Sequence, residues 1–226
     1  MRSKAYREII EKIDRGKVYS LTEALPLVLS FARAKFTESV DIHLKMNLKG
    51  TKGPQSVRGS LILSKPLVKG KTVLVLTEDE SKLQQAQAAG ADRVGGKEII
   101  DEIKQAGGIN YDVVLATTDF MRFLAPVAKI LGPKGLMPSP KNGTVTDDIE
   151  RVVREFKAGK SEFRMDKTGV IHQAIGNITF TPEELEKNIR EFVAEVQKNQ
   201  PEKIKGEFVK TMYISLTQSP SLKVKL

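Results

Sequence analysis

Thr72-Val-Leu-Val-Leu-Thr-Glu-Asp-Glu80 decides how the middle of this 226-residue chain is read. After Thr72 the run to Leu76 is continuously apolar, as a strand covered on both faces requires. A helix is expected from about Glu80 to Ala89 and another near Glu98 to Gln105. Tyr111 to Ala116 repeats the buried-strand pattern, and a helix from about Asp119 to Leu131 follows it. This alternation predicts a small parallel α/β sheet. Beyond Leu131 the chain turns irregular, then Asp147 to about Ala158 reads as helix.

On either side of this middle the periodicity changes. Tyr6, Ile9, Ile10 and Ile13 form the stripe of an amphipathic helix. Ser20 and Glu23 have the spacing of a capping box for a second helix, whose buried face is Ala24, Leu25, Val28, Phe31 and Ala32. Pro26 inside it implies a kink or a later start. Val40, Ile42, Leu44 and Met46 alternate with Asp41, His43 and Lys45, a strand with one wet face. A basic loop, Leu48-Lys-Gly-Thr-Lys-Gly-Pro54, leads to a short strand near Val57 to Leu63. After the middle, Glu162 to Met165 and Val170 to Ile175 read as a hairpin around Asp166-Lys-Thr-Gly169, with Gly169 at φ > 0. Thr181-Pro182 with Glu184 marks a capped helix, stripe Leu185, Ile189, Phe192, Val193 and Val196, with Glu183–Lys187 and Glu186–Arg190 pairs on its surface. The last strands run from about Glu207 to Leu216 and Leu222 to Leu226.

Charge divides the chain the same way. Lys and Arg number 37 against 28 Asp and Glu, a net +9 with a pI near 9.6. Residues 67–158 hold 13 of each sign, while 1–66 and 159–226 together hold 24 basic and 15 acidic residues. The whole excess thus sits on the two ends. If they fold together, one lobe is built to meet a polyanion.

Several classes of chemistry are excluded. There is no cysteine, hence no disulfide, thiolate metal site or thiol nucleophile, and a reducing compartment is expected. Two histidines, His43 and His172, all but exclude a multi-histidine zinc centre. Each lies on an expected strand without an identifiable carboxylate partner and reads as a hydrogen-bonded, surface or half-buried side chain. Neither a Gly-x-Ser-x-Gly elbow nor a His-Glu-x-x-His helix occurs. No apolar run nears the roughly 20 residues of a membrane span, and the first residues carry no signal-peptide core. Two decoys fail. Ala91-Asp-Arg-Val-Gly-Gly-Lys-Glu98 resembles a phosphate loop but puts a carboxylate where Mg²⁺ needs a hydroxyl. Gly50-Thr-Lys-Gly53 matches an RNA clamp loop but follows a strand instead of joining two helices. A nucleotide-binding α/β enzyme is therefore the weaker alternative; no catalytic residue, metal, cofactor or small-molecule substrate is expected.

The least ordinary stretch is Ile130-Leu-Gly-Pro-Lys-Gly-Leu-Met-Pro-Ser-Pro-Lys-Asn-Gly-Thr-Val-Thr146. Its three prolines and three glycines deny it a regular helix, yet Leu131, Leu136, Met137 and Val145 are apolar. A stiff loop packed on its domain, projecting Lys134 and Lys141 towards a phosphate backbone, is expected. This stretch resembles the signature of the family of ribosomal protein one of the large subunit, the rRNA stalk protein, in its bacterial and organellar branch. Ala34-Lys-Phe-Thr-Glu-Ser-Val-Asp-Ile-His43, Val57-Arg-Gly59, Ala88-Ala-Gly-Ala-Asp92 with Gly95-Gly96, Phe156-Lys-Ala-Gly-Lys160, Glu162-Phe163, Asp166-Lys-Thr-Gly169 and Thr217…Pro220-Ser221 are similar to family segments.

The resemblance implies an α/β protein of two domains. An α+β rRNA-binding domain would be formed by 1–66 with 159–226, and a Rossmann-like three-layer α/β domain by 67–158, joined by a two-stranded hinge around Ser64–Val68 and Lys157–Ser161. It implies a grip on stalk rRNA, help in releasing deacylated tRNA from the exit site, repression of the chain's own mRNA, no membrane partner and no catalysis. The setting would be a bacterial ribosome in the cytoplasm or an organellar one. By matching position the RNA contacts fall on Lys35, Phe36, Thr37 and Glu38, on Asp166, Lys167 and Thr168, and on Thr217, Gln218, Ser219, Pro220 and Ser221, with Lys134 and Lys141 secondary. The chemistry agrees. Glu38 breaks the apolar parity of its strand and so should bring Phe36 and Lys35 to a rim, where an aromatic can pack on a ribose or base and hydroxyls can meet 2′-OH groups. Gln218-Ser219 replaces the family's usual Met-Gly, and loss of that glycine should restrict the approach of the backbone to RNA.

Overall fold

The computed structural model describes residues 4–14, 16–48, 57–67, 70–201, 204 and 206–225, with 4 and 5 described as backbone only. Most of the basic loop, including Gly50–Gly53, lies outside the described residues, as do Val68 of the expected hinge and Leu226. The chain divides into two compact units, Met1–Leu67 with Phe163–Leu226, and Val68–Glu162. At these boundaries the second unit holds 14 residues of each sign, so the first still carries all of the +9.

The chain enters through α1 (Lys4–Glu11), a two-residue strand β1 (Tyr19–Ser20) and α2 (Leu21–Leu29). Ser20 caps α2, its side chain accepting from Glu23 N, while the Glu23 carboxylate lies 3.4 Å from Lys17 Nζ. Pro26 is accommodated inside this helix, which starts at Leu21 and not later. Strand β2 (Ser39–Met46) alternates as expected, with Val40, Ile42, Leu44 and Met46 buried. Strand β3 (Arg58–Leu61) closes this half.

In the second unit, β4 (Val73–Leu76), β5 (Arg93–Gly95) and β6 (Val113–Ala116) form a parallel sheet in the order β5-β4-β6. Helices α3 (Glu80–Ala88), α4 (Lys97–Ala106), α5 (Ala128–Leu131) and α6 (Ile149–Lys157) surround it. Leu74, Leu76 and Val114 face α4 and the Phe120–Leu131 region, whereas Val73, Val75 and Leu115 face Ala86 of α3 and Val152, Val153 and Phe156 of α6. Apolar side chains pointing both ways explain why the strand sequence shows no alternation. The expected helix from Asp119 is a 3₁₀ helix over Asp119–Val127 followed by the single α turn of α5. Pro126 has no N–H to donate and crowds the preceding turn, which disfavours a continuous α-helix.

The chain then returns through β7 (Ser161–Arg164), β8 (Val170–Asn177), α7 (Pro182–Lys198), β9 (Val209–Leu216) and β10 (Leu222–Lys225). A full capping box starts α7: Thr181 Oγ1 accepts from Glu184 N at 3.3 Å and Glu184 accepts from Thr181 N at 3.0 Å. The expected hairpin of β7 and β8 is not one. β7 pairs with β3 and β8 with β2, and an isolated Met165↔Ile171 bridge links the two strands. Each strand has a different lateral neighbour, so the four-residue turn passes the chain between sheets.

The first unit's main sheet has the order β1-β10-β9-β2-β8. Leu25 and Val28 of α2 and Leu185, Ile189, Phe192 and Val196 of α7 share one core with Ile42, Leu44, Ile214 and Val224. Both helices therefore lie on one face. The opposite face carries the other parity.

Candidate nucleic-acid interface

The parity of the sheet that faces away from α2 and α7 consists of Asp41, His43 and Lys45 on β2, His172 on β8, Tyr213 and Ser215 on β9 and Lys223 on β10. Lys223, Tyr213, His43 and His172 follow one another across strands as register partners. Near β10, Tyr6 and Ile10 of α1, with Ile13 beyond its end, line a cleft with Tyr213 and Lys223. The face is polar, cationic in its lysines, and contains a tyrosine.

One end is built from two loops held together by a buried carboxylate. Lys35 and Thr37 are exposed and Phe36 is 50% exposed, so the aromatic lies outside the core as its position before β2 suggested. Glu38 behaves differently. It is 1% exposed and accepts from Arg33 N at 3.1 Å, Ala34 N at 3.0 Å and Gln218 N at 3.0 Å. Burial alone would raise its pKa; the three backbone donors and nearby Arg33 outweigh this and hold it below the ordinary 4.5. The parity break was correctly a departure from the apolar core, but the side chain that makes it faces inward.

Thr217 closes the same junction, its hydroxyl accepting from Ser39 N at 3.1 Å and meeting Ser39 Oγ at 3.0 Å. Thr217, Gln218 and Ser221 are exposed, whereas Pro220 is buried. Ser219 Oγ is occupied within the turn, accepting from Leu216 N at 2.8 Å and donating to Pro220 O at 3.0 Å. Among the described residues no non-glycine residue has positive φ, so Ser219 sits in its turn without a glycine-like backbone.

The other end is the Asp166–Gly169 turn, placed beside Lys45 by the Lys45↔Val170 register. Six residues of strand at roughly 3.4 Å each put the two ends about 20 Å apart. Asp166 organises the turn, accepting from Thr168 N, Thr168 Oγ1 and Val170 N, each at 2.8 Å. The Val170 and Thr168 donors, with His172 nearby, hold its carboxyl below the usual range. Gly169 has φ +78°, as expected, and Lys45 Nζ donates to Thr168 O at 2.5 Å. Lys167 stands exposed at the tip.

In the second unit, Lys134 and Lys141 are exposed on the 130–146 stretch, Lys134 Nζ reaching Ile109 O at 3.4 Å. The stretch is stitched to β6 by an Ala116↔Val145 bridge and closed on itself by Ser139 N donating to Thr144 Oγ1 at 2.8 Å. Where a nucleotide phosphate would meet the N-terminus of α4, the Glu98 carboxylate already accepts from Gly96 N at 2.7 Å. The glycine-rich segment before it is largely strand β5. Among the described residues no cluster of three ligating side chains could hold a metal, and no helix is long and apolar enough to cross a membrane.

A family model described as Ribosomal protein L1p/L10e family matches residues 28–220. The chain belongs to this family. Large ribosomal subunit protein uL1 of Thermus thermophilus is 43% identical over 222 residues, covering 98% of this chain and 96% of that protein. Its namesake from Mycoplasma capricolum is 40% identical over 223 residues, with 99% and 98% covered. That of Fervidobacterium nodosum is 41% identical over 224 residues, with 99% and 95% covered. Ribosomal protein L1p/L10e members form a structural, non-enzymatic family, which removes the nucleotide-dependent enzyme as a reading.

Within this member of the family, sequence reasoning missed how the histidines are used. His43 Nδ1 lies 2.8 Å from His172 Nδ1, and His43 Nε2 lies 3.0 Å from Ser215 Oγ. Wet-face parity was visible for His43, but the pairing of strands 129 residues apart was not. Tyr213 and Lys223 were missed for the same reason.

Proposed function

We propose that this chain is a structural constituent of the large ribosomal subunit that binds the rRNA of its mobile stalk through the first unit, each unit acting as a domain. The observation that carries this is the rim at Lys35-Phe-Thr37. An aromatic and a lysine stand exposed there, locked by Glu38 to the hydroxyl-bearing Thr217–Ser221 loop, on the unit that holds the entire net charge. Phe36 offers a surface for a ribose or an unstacked base, Thr37, Thr217 and Ser221 offer hydroxyls to 2′-OH groups, and Lys35, Lys45 and Lys167 neutralise phosphates.

In this proposal Glu38, Ser219 and Pro220 shape the rim and do not contact RNA. Asp166 and Thr168 shape the second end, where Lys167 makes contact; Lys134 and Lys141 are secondary phosphate contacts. Bound to the stalk, the protein assists release of deacylated tRNA from the exit site. A messenger folded like the rRNA site would compete for the same rim and so repress translation of its own mRNA. The relatives' bacterial origin favours the ribosome of a bacterial cytoplasm over an organellar one.

Cosedimentation and filter binding test this. The chain should travel with large subunits, and its affinity for stalk rRNA should fall roughly 10³–10⁵-fold between 50 and 200 mM salt if six to ten phosphates are contacted. A free protein in the gradient, or a flat salt response, would contradict the proposal.

A further inference from the structure

The chain's only two histidines meet on the polar face of the sheet. Their rings stand at 61° with centroids 4.9 Å apart, and the polar contacts run across three strands, from Ser215 to His43 to His172. Beyond them, His172 Nε2 lies 3.8 Å from Asp166 Oδ2, and the His172 side chain is 58% exposed. The Nδ1–Nδ1 contact needs one N–H and one lone pair. Two neutral rings satisfy it, and so do one imidazolium and one neutral ring. Only double protonation sets two N–H groups against each other. The pair can therefore take up one proton and keep its hydrogen bond.

The surroundings decide which ring takes it. His43 is the more enclosed; burial first and His172 second push its pKa below the ordinary 6.5, against the opposing pull of Asp41. Asp41 and Lys45 flank it on β2, Tyr213 and Ser215 face it from β9, and Asp166 stands beyond His172. His172 is open to solvent and stands next to a carboxylate. That carboxylate already accepts three hydrogen bonds from its own turn and lies beyond hydrogen-bond distance of the ring, so Nε2–H remains available. A divalent metal is a poorer occupant. Two nitrogens bound to one tetrahedral ion at about 2.0–2.1 Å stand roughly 3.3 Å apart, wider than this pair.

We propose that the His43–His172 pair is a phosphate subsite of the RNA face, in which His172 meets a backbone phosphate oxygen as an imidazolium while His43 and Ser215 fix its ring. This rests on the reading of the face as the rRNA interface. Binding then carries a proton with it. By linkage the affinity rises as pH falls through the histidine range, by at most about tenfold per pH unit for one proton.

The test is the Kd of the full chain for a stalk rRNA fragment from pH 8.5 to 5.5 at constant ionic strength, for wild type, His172→Gln and His43→Gln. Wild type should bind roughly tenfold or more tightly at pH 5.5 than at 8.5. His172→Gln should lose most of that rise. In the wild-type complex, the NMR titration of the His172 ring should move to higher pH than in the free protein. A pH-independent wild-type affinity, or an undiminished rise in His172→Gln, overturns the subsite and leaves the interface standing. No binding at any pH overturns both. If His43→Gln proves unstable, the His172 variant and the ring titration still decide.

Discussion

Replacing Glu38 by Gln probes the junction that shapes the proposed rim. One carboxylate oxygen accepts from Arg33 and Ala34, the other from Gln218. An amide can keep only one of these positions as acceptor. Its favoured orientation leaves the oxygen to Arg33 and Ala34 and turns an NH₂ towards the Gln218 N–H, so the bond across the junction is lost. A hydrogen bond to a charged group is worth about 1.5–3 kcal/mol, and the two that survive weaken on becoming neutral. Glu38 is 1% exposed, so little solvent screening reduces these figures, although the Gln218 N–H can rehydrate at the surface. We expect the variant to lose about 2–3 kcal/mol.

The pH dependence has a definite sign. The folded pKa is depressed, so this contribution is complete above the ordinary 4.5 and is lost as pH falls through the lower folded value. The gap between wild type and Glu38→Gln should therefore be full at pH 7 and shrink towards pH 3. Urea unfolding, followed by amide exchange at Gln218 so that the first unit is read separately from the second, measures both. A variant within 0.5 kcal/mol of wild type at pH 7, or a gap that does not change with pH, would falsify the reasoning.

Other perturbations separate shape from contact. Phe36→Ala should change stability by no more than about 0.5–1 kcal/mol because the ring is half exposed, yet weaken rRNA binding by about 1–3 kcal/mol in a filter assay. Gly59→Ala should do the reverse: a Cβ there would lie 2.7 Å from Phe163 Cζ, costing about 1–3 kcal/mol in urea unfolding with the rim chemistry untouched. Lys35→Ala with Lys167→Ala should flatten the salt dependence of binding by nearly two units of slope, one per phosphate contact. Titration with ATP or NAD by calorimetry should give no binding, since Glu98 fills the N-terminus of α4.

Much of this architecture could be read from periodicity because burial imposes it. Val73 to Leu76 is apolar without interruption because both faces of β4 are covered, and β2 alternates because helices cover one face. Strands β1 and β5, two and three residues long, are too short to leave a period. The false hairpin at Asp166–Gly169 has a related cause: turn chemistry reports a reversal of the chain, not which strand becomes the neighbour. Within the site, the exposure of Phe36 followed from the broken parity. The burial of Glu38 did not, because its partners are backbone N–H groups, one of them 180 residues away, and backbone donors leave no mark in a sequence.

The claim that RNA meets the polar face and rims of the first unit is tested most directly by NMR mapping of the chain with a stalk rRNA fragment. The account predicts large shifts at Lys35–Thr37, Lys167, His172, Thr217, Gln218 and Ser221, with small ones at Lys134 and Lys141. Shifts confined to the second unit, around the N-terminus of α4 or the 130–146 stretch, would contradict it.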